Sequence, residues 1–287
     1  MLEPTAALAD TLDIDQRLNY VADDAPDTTG HGEDVLELLG YFAPAATFSL
    51  YRVVAAHGTA KRGNLVQAIA DASSHNIDIL NLSVGIHHHE EPTGDCGGHC
   101  RIADEARLAI ESGTAVVAAA GNREKDNPLA VHCPARLTTA ITVGGFVSHC
   151  RADLLDSPAS GQYWVDNDTE LVGPFCGQRG CGPTKQCEEY RYEKPWQGNV
   201  SFHNAVPDVL APVHHPAGTD TDPVLQSGTS FGTPIVSGSL ATLLSDLPDS
   251  EPDPSPTQLR QAVSMGATDI DEGTVPKFDA GGTRELL

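Results

Sequence analysis

The stretch 226–247, QSGTSFGTPIVSGSLATLLSDL, constrains this chain more than any other. Its apolar residues Ile235, Val236, Leu240, Leu243 and Leu244 recur at helical spacing. Ser230 stands at the head of that helix, with Pro234 read in its first turn, where a missing amide costs little. The start of a helix offers unpaired N–H groups and the positive end of the dipole, so negative charge is favoured there. A nucleophilic hydroxyl with an oxyanion hole needs that setting. A serine that only caps a helix would account for Ser230, but not for the rest of the sequence.

The remainder alternates strand-like and helix-like segments with short connections. Residues 47–54, 77–84, 114–120 and 140–143 read as strands, the last three strongly apolar. Residues 64–74 and 100–112 read as helices, the second ended by Gly113. Helices between apolar strands imply crossover connections and a parallel sheet. The chemistry of such a sheet lies at the carboxyl ends of its strands. His31, Asn122 and Ser230 each fall just past a strand or at a helix start.

Charge narrows the classes of partner. Acidic residues outnumber basic ones 40 to 17 for a net charge of −23, and only five of the basic residues are lysine. That field argues against nucleic acid or an anionic membrane. The acids are spread along the chain rather than gathered in a tail, which points to a protein that works in high salt, from a halophilic source. No stretch is apolar enough to span a membrane, and the start, Met1-Leu2-Glu3-Pro4, is unlike a signal peptide. The expectation is a monomer that is cytoplasmic as given, and secreted only if an upstream leader has been lost.

Five short segments, in order, carry a family resemblance. Thr29-Gly30-His31-Gly32-Glu33-Asp34-Val35 resembles a G-H-G-T-H-V motif, and Asn81-Leu82-Ser83-Val84-Gly85 an N-x-S-x-G edge strand. Ala118-Ala119-Ala120-Gly121-Asn122 resembles A-A-G-N, and Asp208-Val209-Leu210-Ala211-Pro212 resembles D-V-x-A-P. Gly228-Thr229-Ser230-Phe231-Gly232-Thr233-Pro234 resembles G-T-S-x-A-x-P. Together they resemble the subtilisin-like serine peptidases, the subtilases. The tail fits as well: Gly266-Ala267-Thr268-Asp269 and 278–282 are similar to the family's closing segments.

The resemblance implies one α/β domain over 1–287: a three-layer fold with a mainly parallel central sheet, helices on both faces, and a Cys-rich insertion at 148–205. It implies a serine endopeptidase acting on protein or peptide substrates without an organic cofactor. Ser230 would be the nucleophile and His31 the general base, with the Asn122 side chain and the Ser230 N–H as oxyanion donors. Ser83, Val84 and Gly85 would pair with substrate backbone, and 119–121 would line the primary specificity pocket. The competing function is a pseudo-peptidase that keeps the fold to bind peptides or partner chains.

The triad acid separates these two. The stretch 11–18, TLDIDQRL, resembles a worn H-P-D-L-x-x-R-V segment, a register that puts the acid about eight residues upstream, near Glu3 and Pro4, where no strand fits. The alternatives are Asp10, which copies a D-T dipeptide, or an acid encoded upstream of Met1. Two further departures are Glu33-Asp34 in place of the usual Thr-His, and Gly232 in place of alanine.

Seven cysteines occur: Cys96, Cys100, Cys133, Cys150, Cys176, Cys181 and Cys187. Their spacings are not those of a zinc ribbon, and disulfides or a structural metal, zinc or calcium, remain alternatives. The run His87-His88-His89-Glu90-Glu91 reads as a solvated loop rather than a metal site. No H-E-x-x-H helix supports a zinc enzyme. No metal is assigned to the site.

Overall fold

The computed structural model describes residues 8, 11–22, 30–55, 58, 60–86, 100–122, 131–148, 193–195, 207–219, 222–248, 252–268 and 275–287. In chain order the elements are β1 (Asp13–Asn19), α1 (His31–Phe42), β2 (Thr47–Arg52), α2 (Arg62–Ser74), β3 (Ile79–Leu82), α3 (Arg101–Glu111), β4 (Ala115–Ala119) and β5 (Ile141–Ser148). They continue with β6 (Glu193–Pro195), β7 (Val209–Pro212), β8 (His214–Thr219), β9 (Asp222–Ser227), α4 (Thr229–Ser245), α5 (Pro256–Gly266) and α6 (Ala280–Arg284).

Strands β3, β4, β5 and β7 run parallel, and β6 joins β5 antiparallel. β4, AVVAA, is buried at every position, as expected of a strand covered on both faces. Its alternation assigns the two layers. Val116 and Ala118 pack with Leu65 and Ile69 of α2 and Ile102 and Ala106 of α3. Ala115 and Val117 pack with Val236 and Leu240 of α4 and with Leu259 and Val263 of α5. The architecture is thus the three-layer, mainly parallel α/β fold expected. None of the described helices is long and apolar enough to cross a membrane.

Helix α4 is buried on nearly every side from Thr229 to Leu243, the mark of a helix that runs through a core rather than over it. α1 crosses it closely. A Cβ on Gly238 would stand 2.7 Å from Phe42 Cβ, and Thr242 Oγ1 donates to the Phe42 carbonyl at 2.6 Å. This contact ties the C-terminal end of α1 to the second half of α4.

One feature departs from the simple parallel sheet. β1 and β2 form their own two-stranded parallel sheet, with Asp13 opposite Thr47, and among the described residues β2 has no ladder to β3. The stretch read as a worn H-P-D-L segment is therefore largely strand β1, alternately exposed and half-buried from Asp13 to Asn19.

Candidate active site

The start of α4 is held by its own backbone and by the loop after β4. Gly228 N–H donates to the Val213 carbonyl at 3.0 Å. Thr229, only 2 % exposed, is the clasp. Its N–H and hydroxyl both donate to Asn122 Oδ1, at 3.1 and 3.3 Å, and its Oγ1 accepts from the Gly121 N–H at 3.1 Å. The Asn122 oxygen is thus engaged by Thr229. A Cβ built on Gly228 would lie 3.1 Å from Ser230 Oγ and 3.2 Å from Asn122 Nδ2. A hydroxyl and an amide donor therefore face one small volume at a helix N-terminus.

Pro234 lies inside α4, not in its first turn as the sequence had indicated, because the helix starts at Thr229. A proline there cannot donate to the carbonyl four residues back, which is that of Ser230. Ser83 Oγ does so instead, at 2.8 Å. Ser83 is held in turn by Asn81 Nδ2 at 3.0 Å, and Asn81 Oδ1 accepts from Ser237 Oγ at 2.9 Å. The end of β3 and the first two turns of α4 are thus one hydrogen-bonded unit.

His31 opens α1 behind Gly30, whose φ of 68° suits glycine. Its imidazole meets Phe231 edge to face, with 5.2 Å between centroids and 79° between planes. Phe231 directly follows Ser230, so the two helix starts converge. Glu33 and Asp34, noted as departures, sit in the first turn of α1, where the dipole favours carboxylates.

A cavity of about 310 Å³ is lined by all the residues singled out from sequence: His31, Ser83, Val84, Gly85, Gly121, Asn122 and Ser230. It also contains one that sequence reading missed, His132. Gly121 has φ 94°, and a Cβ there would come within 2.5–2.7 Å of the His132 ring. A Cβ on Gly85 would come within 2.8 Å of His132 Cβ. Both glycines make room for this imidazole. Its backbone is fixed by His132 N–H to the Ala120 carbonyl at 3.0 Å and by the neighbouring Ile86–Cys133 bridge. The only sequence signal was its place before Cys133-Pro134.

Asp10 lies outside the described residues, as do Glu3, Pro4, the run 87–91, and Cys96, Cys150, Cys176, Cys181 and Cys187. Next to Asp10, Leu8 packs with Leu12 against Leu36, Ala43 and Phe48, and its carbonyl accepts from the amides of Thr11 and Leu12. Cys133 is fully buried and Cys100 packs against the same core cluster. Among the described residues no group of three or more His, Cys, Asp or Glu side chains is arranged to hold a metal ion.

Comparison with known proteins identifies the family. The pattern of the family described as the subtilase family matches residues 22–281. The extracellular serine proteinase of Thermus sp. (strain Rt41A) is 30% identical over 131 residues, covering 43% of this chain and 29% of that protein. The chain thus spans less than a third of the length of that relative. Among solved structures, the patellamide maturation protease PatA superposes with a TM-score of 0.66 at 19% identity, covering 100% of this chain and 93% of that one. The prenylagaramide maturation protease PagA gives 0.64 at 21% identity, covering 100% and 90%. At these identities the structural likeness speaks for the fold.

Proposed function

Because the chain belongs to the subtilase family, and with it to the serine-type proteases, we propose that it is a serine endopeptidase whose nucleophile is Ser230 and whose general base is His31. The observation that carries the reading is the shared volume beside Gly228, 3.1 Å from Ser230 Oγ and 3.2 Å from Asn122 Nδ2. A scissile carbonyl placed there meets nucleophile and donor together. His31 takes the Ser230 proton as the carbonyl is attacked, and gives it to the departing amine. The oxyanion that forms is held by the Ser230 N–H and Asn122 Nδ2. Water then releases the acyl group by the same steps in reverse.

Substrate enters as an extended segment that adds to Ser83–Gly85 by backbone pairing. The side chain before the scissile bond enters the 310 Å³ cavity between Gly85 and Gly121, where His132 forms one wall. No organic cofactor or metal has a part in these steps. The protein acts as a monomer on protein or peptide chains rather than on nucleic acid or membranes, and its acidic surface suits it to molar salt.

A second reading is a catalytically impaired domain that binds peptides along Ser83–Gly85. It is favoured by the lack of a ladder between β2 and β3 among the described residues, beside His31, which leaves the orienting acid unassigned. Asn122→Ala decides between them, assayed on a fluorogenic peptide in molar KCl. The endopeptidase reading expects kcat to fall about 10²–10³-fold, a magnitude established on a subtilisin and so within this family. Unchanged turnover would remove Asn122 from the mechanism, and no hydrolysis in either protein would favour the binding domain.

A further inference from the structure

The cavity beside Ser230 has one titratable wall, and two glycines make room for it. Gly85 lies just past β3 and Gly121 just past β4, at the ends of neighbouring parallel strands. A Cβ on Gly121 would meet three ring atoms of His132 at 2.5–2.7 Å, with Nδ1 at 2.7 Å, and a Cβ on Gly85 would lie 3.4 Å from the same nitrogen. A side chain at either position would crowd the imidazole. With glycine at both, a ring nitrogen sits between the two strand ends.

The ring is carried by backbone that belongs to the core. His132 N–H donates to the Ala120 carbonyl at 3.0 Å, and Ile86 and Cys133 exchange two backbone bonds at 3.0 and 3.1 Å. Val131 and Cys133, on either side of it, are buried, whereas His132 itself is half-buried and lines the cavity shared with His31, Asn122 and Ser230. The walls nearest the ring, Val84, Gly85, Ala119 and Gly121, carry no charge, and no carboxylate is among the described residues lining the cavity. The other titratable group there is His31, to which the mechanism already gives a task.

We propose that His132 is the specificity-determining residue of this pocket and selects peptides with glutamate or aspartate before the scissile bond. A carboxylate brought against an imidazole favours the protonated ring and gains a charge-assisted hydrogen bond, about twice as strong as a neutral one. The same ring takes up the space between the strand ends, so a large aromatic side chain meets it as an obstacle. The net charge of −23 opposes an acidic substrate at a distance. At 1 M salt the Debye length is about 3 Å, which leaves the contact with His132 to decide. Cleavage after that residue rests on the peptidase reading above; the selectivity of the pocket does not.

The test uses fluorescein-labelled, quenched Ala-Ala-Xaa-Ala-Ala peptides in molar KCl, with Glu, Asp, Gln, Leu or Phe as the varied residue. Near pH 6, kcat/KM for Glu or Asp should exceed that for Phe at least tenfold. The Glu-to-Gln ratio, in which the titration of His31 cancels, should fall toward one between about pH 5 and 8, as the imidazole loses its proton. His132→Ala should lower the Glu-to-Phe ratio at least tenfold and flatten that pH dependence. A wild type that prefers Phe or Leu would overturn the proposal, as would a Glu-to-Gln ratio that ignores pH. If His132→Ala does not fold, those two wild-type measurements still decide. If no peptide is cleaved, binding of the same peptides without quencher is read by fluorescence anisotropy. Tighter binding of Glu than of Gln, lost as pH rises, would uphold the pocket and count against the peptidase reading. Equal binding of Glu, Gln and Phe would overturn the proposal.

Discussion

Ser83 Oγ donates to the carbonyl of Ser230 at 2.8 Å, in the place where an uninterrupted helix would put the amide of residue 234. Pro234 removes that amide, and a residue 147 positions away supplies the donor. The bond ties the strand end proposed to receive substrate to the residue proposed to attack it. Ser83→Ala leaves a half-buried carbonyl unsatisfied. The expected loss is about 1–3 kcal/mol of stability, read from urea unfolding at constant salt, with a fall in peptide hydrolysis. Wild-type stability in the variant would mean that water replaces the hydroxyl at no cost.

Gly228 is extended, with φ 169°, a conformation open to any residue. What a side chain there meets is close neighbours, since a Cβ would sit 3.1 Å from Ser230 Oγ and 3.2 Å from Asn122 Nδ2. Gly228→Ala therefore fills the volume assigned to the scissile carbonyl. Peptide hydrolysis should fall at least a hundredfold while the melting temperature stays within a few degrees. Retained kcat/KM would show that the reacting carbonyl binds elsewhere.

Asp279 caps α6. One carboxylate oxygen accepts from the Gly282 N–H at 3.0 Å and the other from Thr268 Oγ1 at 2.7 Å. The Gly282 amide, followed by Thr268, holds its pKa below the usual aspartate value. A folded-state pKa below the unfolded one stabilises at pH above the ordinary carboxylate range, and the contribution is lost as pH falls through the folded value. Asp279→Ala should cost about 0.5–2 kcal/mol at neutral pH. The gap to wild type should close as acid protonates the carboxyl. A gap that is the same at every pH would assign the effect to packing.

Salt dependence follows from the charge of −23 and the scarcity of lysine. At 1 M salt the Debye length is about 3 Å, so repulsion between surface carboxylates is largely screened. The melting temperature should climb through a KCl series from low to molar concentration. A flat series would refute the halophilic reading.

The local parts of this site were legible, and the long-range parts were not. Ser230, Asn122 and His31 each sit in a short segment whose geometry is set by immediate neighbours: a helix start, a glycine turn after a strand, a left-handed Gly30. Strand and helix cores were also visible, because burial on one or both faces leaves a period in the sequence. Pro234 was misplaced because motif spacing does not say on which residue a helix begins. β5 runs on to Ser148, beyond the 140–143 expected, since Gly144 and Gly145 interrupt its apolar run. His132 and the Ser83–Ser230 bond depend on contacts between distant segments, which periodicity does not record. The break between β2 and β3 was hidden for the same reason: apolar runs reveal strands, not which strands are neighbours. β1 did carry a signal, with Ile14 and Leu18 on one face of an alternating stretch, but its likeness to an H-P-D-L segment drew the reading away from a strand.

The claim that most needs testing is that Ser230 is a nucleophile activated by His31. Labelling of the folded protein with a fluorophosphonate probe in molar KCl tests it most directly. Wild type should be labelled on Ser230, with Ser230→Ala blank and His31→Ala strongly reduced. Equal labelling of wild type and Ser230→Ala would contradict the account.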